Sequence, residues 1–397
     1  MNKDKFLSRN LLLLFCSMSM SFFVEYSIIA VFPVYISENL HYGRSYVGLF
    51  IGIFSVSALV IKFFTGYIAD RTGRMAVLIA GLVLGLICSG FYAFTTMFTA
   101  LVFVRLAQGA GSGAVRAVYP AITVDIVGKH NAGKGLGFIG LTCMIGMVVA
   151  SPIVFYFLEN IDYEMLFMAL GIILSLSLIP VMFMRVPKII LPSRKLTLAS
   201  FLEYRVLMPA FLRFIVSIWH GLFVSYAVLH ARHSGIANAG VVLTAYALGN
   251  IIMRPFAGYV FDKKSPGVIA WLAYSLLLTG YCIFAVSTEY FGIISGAFII
   301  GMGAGIEHTM MPTIAAKIVD KASLGRANST LECAFSLGIV TGAVFCGKAT
   351  ESIPFDKLFI FVGLLNIIPA VLFYIFVLKI YDRHFEIEGG PAERGQI

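Results

Sequence analysis

The sequence has few charged residues for its length. Charged side chains make up 12% of the 397 residues, whereas hydrophobic side chains make up 59%. A soluble globular protein carries about 25% charged residues, so a single core could not hide this much apolar surface from water. Apolar windows of roughly 20 residues recur along the whole chain, which is the length that a membrane-spanning helix needs. The composition therefore excludes a soluble globular protein and predicts a multi-pass membrane protein.

Several functional signatures are also missing from the sequence. The six cysteines lie in apolar stretches without C-x-x-C spacing, which argues against a disulfide framework and a cysteine metal site. The sequence contains no P-loop, no G-x-S-x-G and no H-E-x-x-H motif. The alternation that is typical of transmembrane strands is absent, which excludes a β-barrel. We therefore expect a helical membrane protein that is not an enzyme, is not driven by ATP and holds no cofactor or metal.

The positive charge of the chain follows membrane topology. Lysine and arginine number 29 and aspartate and glutamate 20, which gives a net charge of +9. About 20 of the basic residues fall in the N-terminus, the even-numbered connections and the C-terminal tail, as the positive-inside rule requires of cytoplasmic segments. We therefore expect both termini in the cytoplasm and no nucleic-acid partner. The N-terminus has no cleavable signal pattern, and the short loops favour a prokaryotic inner (plasma) membrane.

The apolar windows predict twelve helical spans, because a helix satisfies its own backbone polar groups in lipid. A hydrophilic stretch with five basic residues, Arg185–Arg205, separates two sets of six spans. The predicted organisation is an N-terminal six-helix half (1–185), a cytoplasmic linker (186–206), a C-terminal six-helix half (207–385) and a disordered tail (386–397). The predicted spans are 11–37, 46–66, 76–94, 98–124, 135–157, 165–184, 207–230, 240–261, 268–287, 290–318, 327–347 and 357–380.

The two halves repeat each other at a constant offset of 192 residues, the difference between positions 66 and 258. Segment 66–71, which reads GYIADR, returns as segment 258–263, which reads GYVFDK. Two halves built alike from apolar helices are typical of secondary transporters with parallel repeats. The same offset carries Gly109, Gly111, Gly113 and Pro120 onto Gly301, Gly303, Gly305 and Pro312.

The segment after span 2 carries the pattern Gly-x-x-x-Asp-Arg-x-Gly-Arg at residues 66–74. This pattern resembles the loop between spans 2 and 3 of the major facilitator superfamily. A glycine at the end of a span lets another helix approach closely, and an aspartate there can meet a helix N-terminus. The resemblance implies a conformational latch on the cytoplasmic side. The predicted latch residues are Gly66, Asp70, Arg71, Arg74, Gly258, Asp262 and Glu332.

Span 4 holds two arginines on one helical face. Arg105 and Arg116 are 11 residues apart, which returns to nearly the same face about 16 Å along a helix. Because charged side chains at this depth avoid lipid, we expect a wet interior beside them. Arg105 begins an Arg-x-x-Gln-Gly pattern that resembles the drug–proton antiporters of the same superfamily. Snorkelling of Arg116 to the cytoplasmic interface is the alternative that stays open.

The resemblance implies that spans 1, 4, 7 and 10 line a central cavity. Glu25 in span 1 and Glu307 in span 10 are the predicted proton carriers, because burial favours the neutral carboxyl form whereas a nearby arginine favours the carboxylate. A structural ion pair is the alternative for each of them. Glu332, near the cytoplasmic end of span 11, fits a proton role or a place near Asp70 equally well. The predicted substrate-binding residues are Arg105, Arg116, His220, His308, Tyr26 and Arg213.

Two further cations match under the repeat. Lys62 and Arg254 each stand four residues before the motif glycine, near the cytoplasmic end of a span. Long basic side chains in such places usually extend to the interface. We expect both to snorkel.

The sequence as a whole predicts a monomeric secondary transporter that works by alternating access in the lipid bilayer. The expected activity is export of a small polar, anionic or zwitterionic molecule, with the proton gradient as the energy source. Four alternatives stay open within transport: a multidrug pump, suggested by the 35 phenylalanines and 16 methionines, a symporter importing an organic acid, a symporter importing a sugar, and a divalent metal carrier. A membrane sensor or an intramembrane enzyme is the alternative from another class.

Overall fold

The computed structural model describes residues 8–128, 131–186, 202–263, 266–320 and 323–381, and these residues form helices with no strand. Twelve segments of at least 21 residues are long and apolar enough to cross a membrane. The predicted all-helical fold with twelve spans is therefore confirmed. The helices are α1 (Arg9–Val34), α2 (Arg44–Thr72), α3 (Arg74–Phe94), α4 (Phe98–Val127), α5 (Ala132–Leu158), α6 (Tyr163–Phe183), α7 (Leu207–His233), α8 (Val241–Lys263), α9 (Pro266–Val286), α10 (Tyr290–Ile318), α11 (Leu324–Ala349), α12 (Phe355–Leu365) and α13 (Ile367–Leu372).

Shorter helical turns extend the first, seventh and twelfth spans. A π-helical turn over Tyr35–Asn39 continues α1, and a 3-10 turn over Tyr204–Val206 leads into α7. The twelfth span consists of α12, α13 and a second π-helical turn over Phe373–Val377, with Asn366 at the junction between α12 and α13. An asparagine therefore interrupts the last span within the membrane.

The second helix is longer than the sequence pattern predicts. It runs to Thr72, beyond the predicted end at residue 66, and α3 begins two residues later. Gly73 lies between the two helices with a φ of 95°, a backbone conformation that favours glycine. The motif that we expected in a loop therefore has its first seven residues in α2, Gly73 between the helices and Arg74 at the start of α3. The repeated copy likewise lies inside α8, which runs to Lys263.

Packing divides the chain into two compact units. The described residues of unit 1 fall within Met1–Leu196, Val224–Thr244 and Ala343–Glu351. Unit 1 thus contains α1 to α6, the C-terminal end of α7, the first turn of α8 and the end of α11. The remaining described residues form unit 2. The division into halves 1–185 and 207–385 follows from the sequence repeat and stays a prediction.

Two of the predicted segments fall largely on residues that lie outside the described part of the chain. Of the predicted linker 186–206, residues 187–201 lie outside it. The predicted tail 386–397 lies outside it completely. The expected disorder of that tail stays a prediction.

Polar contacts attach the ends of α7 and α8 to the rest of unit 1. The Thr244 hydroxyl donates to the Val148 carbonyl at 2.9 Å, and the Ser151 hydroxyl donates to the Gly240 carbonyl at 2.8 Å. Arg232 forms an ion pair with Glu38 at 3.0 Å. Unit 1 is therefore held by contacts between segments that the sequence assigns to different halves.

The internal repeat is visible in the way that glycines bring helices together. In unit 1, a Cβ atom added to either of two α4 glycines would overlap the backbone of α2, and in unit 2 two α10 glycines meet the backbone of α8 in the same way. Glycines thus let each helix pair pack with the backbones in contact. The 192-residue offset relates the contact of Gly109 with Phe54 to that of Gly301 with Tyr246. It likewise relates the contact of Gly113 with Ala58 to that of Gly305 with Asn250.

A second pair of glycine contacts inside unit 1 obeys the same offset. Gly48 of α2 meets the backbone oxygen of Ala343 in α11, and Gly240, just before α8, meets the backbone oxygen of Ser151 in α5. Adding 192 to positions 48 and 151 gives 240 and 343. The sequence repeat therefore corresponds to a repeat of contacts in three dimensions.

We predict that Gly109→Ala lowers the apparent free energy of unfolding by about 1–3 kcal/mol, because the new Cβ would overlap the backbone of α2. Gly90→Ala in α3 is the matched control. No described atom lies within 4 Å of a Cβ at that position, so the better helix propensity of alanine should leave the protein as stable or more so. Thermal unfolding of the purified proteins in detergent measures both. Equal melting temperatures would contradict the glycine-contact account.

Candidate transport site

In unit 1 a carboxylate of α1 is held by two side chains of α4. Glu25 accepts a hydrogen bond from the Ser112 hydroxyl at 2.6 Å and from Arg116 Nε at 3.0 and 3.1 Å to its two oxygens. Ser112 and Arg116 are four residues apart, so α4 directs both to one point on α1. The pairing keeps Arg116 inside the bundle, with 28% of its side chain exposed, so the snorkelling alternative does not describe it.

Aromatic rings and a thiol surround the Arg116 guanidinium. Its carbon lies 5.1 Å from the centre of the Phe22 ring and 5.7 Å from that of Tyr26, within cation–π range. The Tyr26 hydroxyl is 3.0 Å from Cys143 Sγ of α5, and Arg116 Nη1 is 3.9 Å from the same sulfur. Helices α1, α4 and α5 thus bring Tyr26 next to Arg116, two residues that the sequence predicts as substrate ligands.

Arg105 has a separate set of contacts in unit 1. Only 2% of the residue is exposed, and its guanidinium lies 3.6 Å from the centre of the Phe32 ring. Arg105 Nη1 donates to Gln108 Oε1 at 2.6 Å, and the Tyr92 hydroxyl donates to the same oxygen at 2.7 Å. These contacts account for the arginine and the glutamine of the predicted Arg-x-x-Gln-Gly pattern structurally. A substrate-binding role of Arg105 stays a prediction.

In unit 2 one arginine is shared by two carboxylates of other helices. Arg213 of α7 lies 3.8 Å from a carboxylate oxygen of Glu307 in α10 and 3.4 Å from one of Glu332 in α11. The side chains of Arg213 and Glu307 are 6% and 2% exposed, whereas that of Glu332 is 54% exposed. The arginine therefore joins a buried acid to an accessible one. Glu332, predicted as a latch residue, lies against Arg213.

Two histidines of unit 2 lie side by side next to polar residues of α8. The His220 and His308 rings are 5.7 Å apart between centroids. His220 Nδ1 is 2.9 Å from the Tyr246 hydroxyl, and His308 Nδ1 is 3.3 Å from Arg254 Nη2. Arg254 Nε also donates to Asn250 Oδ1 at 2.8 Å. The expectation that Arg254 snorkels is therefore wrong, because an amide and an imidazole of the bundle hold its guanidinium.

Sequence reasoning overlooked several members of these clusters. Arg254 follows Asn250 by four residues, a spacing that puts the two side chains on one face of α8, and this was the available signal. Tyr246 lies one further turn back on the same face. Cys143 could not be identified from the sequence, because nothing there distinguishes it from the other small residues in the apolar stretch of α5.

The predicted latch residues of unit 1 have separate contacts. Arg74 pairs with Asp125 of α4 and donates to the Ala121 carbonyl at 3.1 Å. The guanidinium of Arg71 lies 4.2 Å from the centre of the Tyr67 ring one turn earlier. Asp70 has no hydrogen bond or ion pair with the described residues. The latch stays a prediction for these positions.

The two motif glycines make no close helix contact in the described structure. No heavy atom of the described residues lies within 4 Å of a Cβ added at Gly66 or Gly258. The backbone of Asp262 belongs to α8, and its side chain lies outside the described part of the protein. Within the described ranges, no group of three His, Cys, Asp or Glu side chains could hold a metal ion.

We predict that Arg105→Lys lowers the apparent free energy of unfolding by about 1–3 kcal/mol, since lysine cannot stack on Phe32 and bond Gln108 in the same geometry. Arg71→Lys is the matched control, because that arginine is exposed and has an aromatic partner too. Its effect should stay within about 0.5 kcal/mol. Thermal unfolding in detergent compares the two variants, and equal effects would argue against a structural role of Arg105.

Comparison with known proteins agrees with the motifs. A family model described as Major Facilitator Superfamily matches residues 14–313 and 196–394. The quinolone resistance protein NorA of Staphylococcus aureus (strain COL) is 25% identical over 316 residues, which cover 76% of this chain and 79% of NorA. The multi-drug resistance efflux pump PmrA of Streptococcus pneumoniae is 24% identical over 334 residues, which cover 79% of this chain and 82% of PmrA.

A solved structure has the same fold. The nucleoside transporter NupG superposes with a TM-score of 0.79 over 92% of this chain and 98% of NupG, at 12% sequence identity. A likeness at this identity concerns the fold alone. The resemblance predicted from the motif at residues 66–74 and from the Arg-x-x-Gln-Gly pattern is confirmed by the family model and by the resistance and efflux relatives. This chain belongs to the major facilitator superfamily of transporters.

Proposed function

We propose that this transporter exports a small zwitterionic organic molecule in exchange for protons by alternating access. The observation that carries the proposal is the sharing of Arg213 between the buried Glu307 and the exposed Glu332. The relatives named as resistance and efflux proteins support the outward direction. Antiport requires that proton and substrate compete, and a shared arginine supplies that competition.

Glu307 is a better proton carrier than Glu25 on geometric grounds. Glu25 receives hydrogen bonds from Ser112 and Arg116 at 3.1 Å or less, all of which favour the carboxylate. Glu307 has only distant partners, the Arg213 guanidinium at 3.8 Å and the His308 imidazole at 4.0 Å, and its Oε1 has no hydrogen-bond partner among the described residues. A buried carboxylate with such weak compensation takes up a proton readily.

The competition works through the charge of Arg213. When Glu307 is ionised, it draws the guanidinium, and the Glu332 carboxylate can pair with a cationic group of the substrate. When a proton from the outer solution binds Glu307, that carboxylate becomes a neutral acid and Arg213 pairs with Glu332 alone. The substrate cation then loses its partner and leaves. Loss of the proton to the cytoplasm restores the first state.

The other end of the substrate has a cation, Arg254, and a neutral imidazole, His308, as partners in the same unit. Arg254 and His308 lie 3.3 Å apart and can bind an anionic group such as a carboxylate. Acid and base sites in one unit favour a molecule that carries charges of both signs. This is the reason for preferring a zwitterion to a simple anion.

A second candidate is the export of lipophilic drugs. It is favoured by the names of the two relatives and by the rings that border both clusters, which include Phe22, Tyr26 and Phe335. A lipophilic cation would use Glu332 without the anion site.

A pure anion would instead bind together with a proton, because protonation of Glu25 frees Arg116. Binding of substrate and proton together is the behaviour of a symporter.

We predict that Glu307→Gln abolishes efflux driven by an imposed pH gradient in proteoliposomes, because the amide cannot bind or release the proton. Glu332→Gln should retain proton binding but weaken binding of cationic and zwitterionic substrates at least tenfold, the loss of about 1.4 kcal/mol expected for one charge-assisted hydrogen bond. Glu289→Gln, an exposed acid before α10, is the control and should transport normally. If Glu25→Gln and Glu307→Gln both leave gradient-driven efflux intact, proton coupling is wrong.

We also predict that substrate charge decides the sign of the pH effect on binding. Affinity for a zwitterionic or cationic substrate should fall as the pH is lowered, because protonated Glu307 releases Arg213 to Glu332. Isothermal titration calorimetry of the purified protein over a pH series measures the affinity for zwitterionic, cationic and anionic compounds at each pH. Tighter binding of the zwitterion at acid pH would contradict antiport and favour the symport alternative.

A further inference from the structure

Three buried polar atoms of unit 2 have no hydrogen-bond partner among the described residues, and they belong to residues that line one pocket. They are Glu307 Oε1 of α10, Trp219 Nε1 of α7 and Asn366 Oδ1 at the junction of α12 and α13. All three residues line the same small pocket inside the bundle. Glu307 and Asn366 are each only 1% exposed. A buried polar group without a hydrogen bond is costly in a medium without water, so the coincidence of three calls for a ligand.

Asn366 and Trp219 each make one hydrogen bond that restrains part of the residue, the side chain of Asn366 and the backbone of Trp219. The Asn366 amide nitrogen donates to the Val362 carbonyl at 2.9 Å, which leaves its oxygen directed elsewhere. The backbone carbonyl of Trp219 accepts a hydrogen bond from the Tyr281 hydroxyl at 3.0 Å. Leu277 and Ile300 complete much of the remaining wall. The pocket thus has mixed apolar and polar walls, and three of its lining residues carry a buried polar atom without a hydrogen-bond partner among the described residues.

The chemistry of these atoms matches one water molecule. The indole N–H can only donate, whereas the amide oxygen and a carboxylate oxygen can only accept. A water molecule accepts one hydrogen bond from Trp219 and donates two, one to Asn366 and one to Glu307. Three hydrogen bonds is the usual number for a buried water, and the pocket has room for one.

We propose that this pocket binds one ordered water molecule, which bridges Glu307 to Trp219 and Asn366 and stabilises the ionised form of Glu307. Trp219 and Asn366 are thereby positioning residues that act on the proton carrier through water. A sodium ion fits less well, because the indole N–H would point at it and Arg213 already supplies positive charge next to Glu307. The inference rests on the proposed function for its role in transport.

The charged and titratable groups around Glu307 lie on α7, α8, α9, α10 and α11. Arg213 of α7, Arg254 of α8 and Glu332 of α11 act on its carboxylate electrostatically, and His308 is its neighbour on α10. Tyr274 of α9 also interacts electrostatically with the Glu307 carboxylate. From the twelfth span, the Asn366 amide lines the same pocket as Glu307. The water thus acts on the one face of Glu307 that has no ionic partner.

The test measures protonation of Glu307 directly. Infrared difference spectroscopy of the purified, full-length protein in lipid detects the carbonyl stretch of the protonated acid, which Glu307→Gln identifies by removing it. Trp219→Phe deletes the indole N–H and keeps an aromatic ring, and Asn366→Leu deletes the amide at similar size. Trp271→Phe is the matched control, because the second of the two tryptophans is 67% exposed on α9.

We expect the titration midpoint of the Glu307 band to move by about one pH unit towards alkaline pH in Trp219→Phe and in Asn366→Leu, the effect of one lost hydrogen bond to the carboxylate. Trp271→Phe should not move it. Unchanged midpoints in both pocket variants would overturn the proposal. A midpoint that depends on sodium at constant ionic strength would overturn it as well, since the ligand would then be a cation.

The same variants separate this inference from the proposed function. Infrared titration reports on the water whether or not the protein exchanges protons for substrate. Gradient-driven efflux that persists in Glu307→Gln would refute proton coupling through Glu307, while a shifted band in the pocket variants would still support the water site. Normal proton coupling in the wild type, together with an unshifted Glu307 band in Trp219→Phe and Asn366→Leu, would support the proposed function and refute the water site.

Discussion

A carboxylate that is buried among helices must either bind a proton or find a positive partner, because removing an ion from water costs several kcal/mol. Unit 2 offers both solutions at once. Arg213 lies between Glu307, which is buried, and Glu332, which is largely exposed. One cation therefore cannot satisfy both acids fully. The protonation of the buried acid and the availability of the exposed one become linked, and the proposed coupling depends on this constraint.

The two repeats carry different chemistry on the same helix scaffold. Glycines of α4 and α10 contact α2 and α8 at positions that differ by the repeat offset. The polar residues do not follow this symmetry, since the 192-residue offset carries Glu25 onto Ser217 and Arg116 onto His308. Unit 1 consequently holds one acid tightly with one arginine, whereas unit 2 holds an unequal set. On this account the scaffold is shared and the coupling belongs mainly to unit 2.

The sequence was sufficient for the fold because apolar length and glycine spacing are properties of single helices and of close helix pairs. Twelve apolar windows predicted twelve spans, and the repeat of Gly109 and Gly113 at Gly301 and Gly305 indicated two halves built alike. The end of α2 was predicted too early, because a hydrophobic window stops at the first polar residues whereas the helix continues to Gly73. Packing into units could not be predicted either, since α7 and α11 are continuous in sequence but are divided between units.

The sequence identified ionisable residues of the candidate site but not their partners. Ion pairing depends on which helix faces which, and periodicity does not fix this. The pairing of Glu25 with Arg116 and the sharing of Arg213 became apparent only with the helices in place. The prediction for Arg254 was wrong, because the general rule for an arginine near a span end does not consider a specific partner. The Asn250 amide one turn earlier accepts a hydrogen bond from its guanidinium.

Proton release on substrate binding tests the central claim most directly. If substrate and proton exclude each other, thermodynamic linkage requires that binding one expels the other. The account predicts that a saturating zwitterionic substrate, added to purified protein in weakly buffered solution, releases up to about one proton per protein. It also predicts that Glu307→Gln releases none. Uptake of protons on binding, or release that is unchanged in Glu307→Gln, would contradict it.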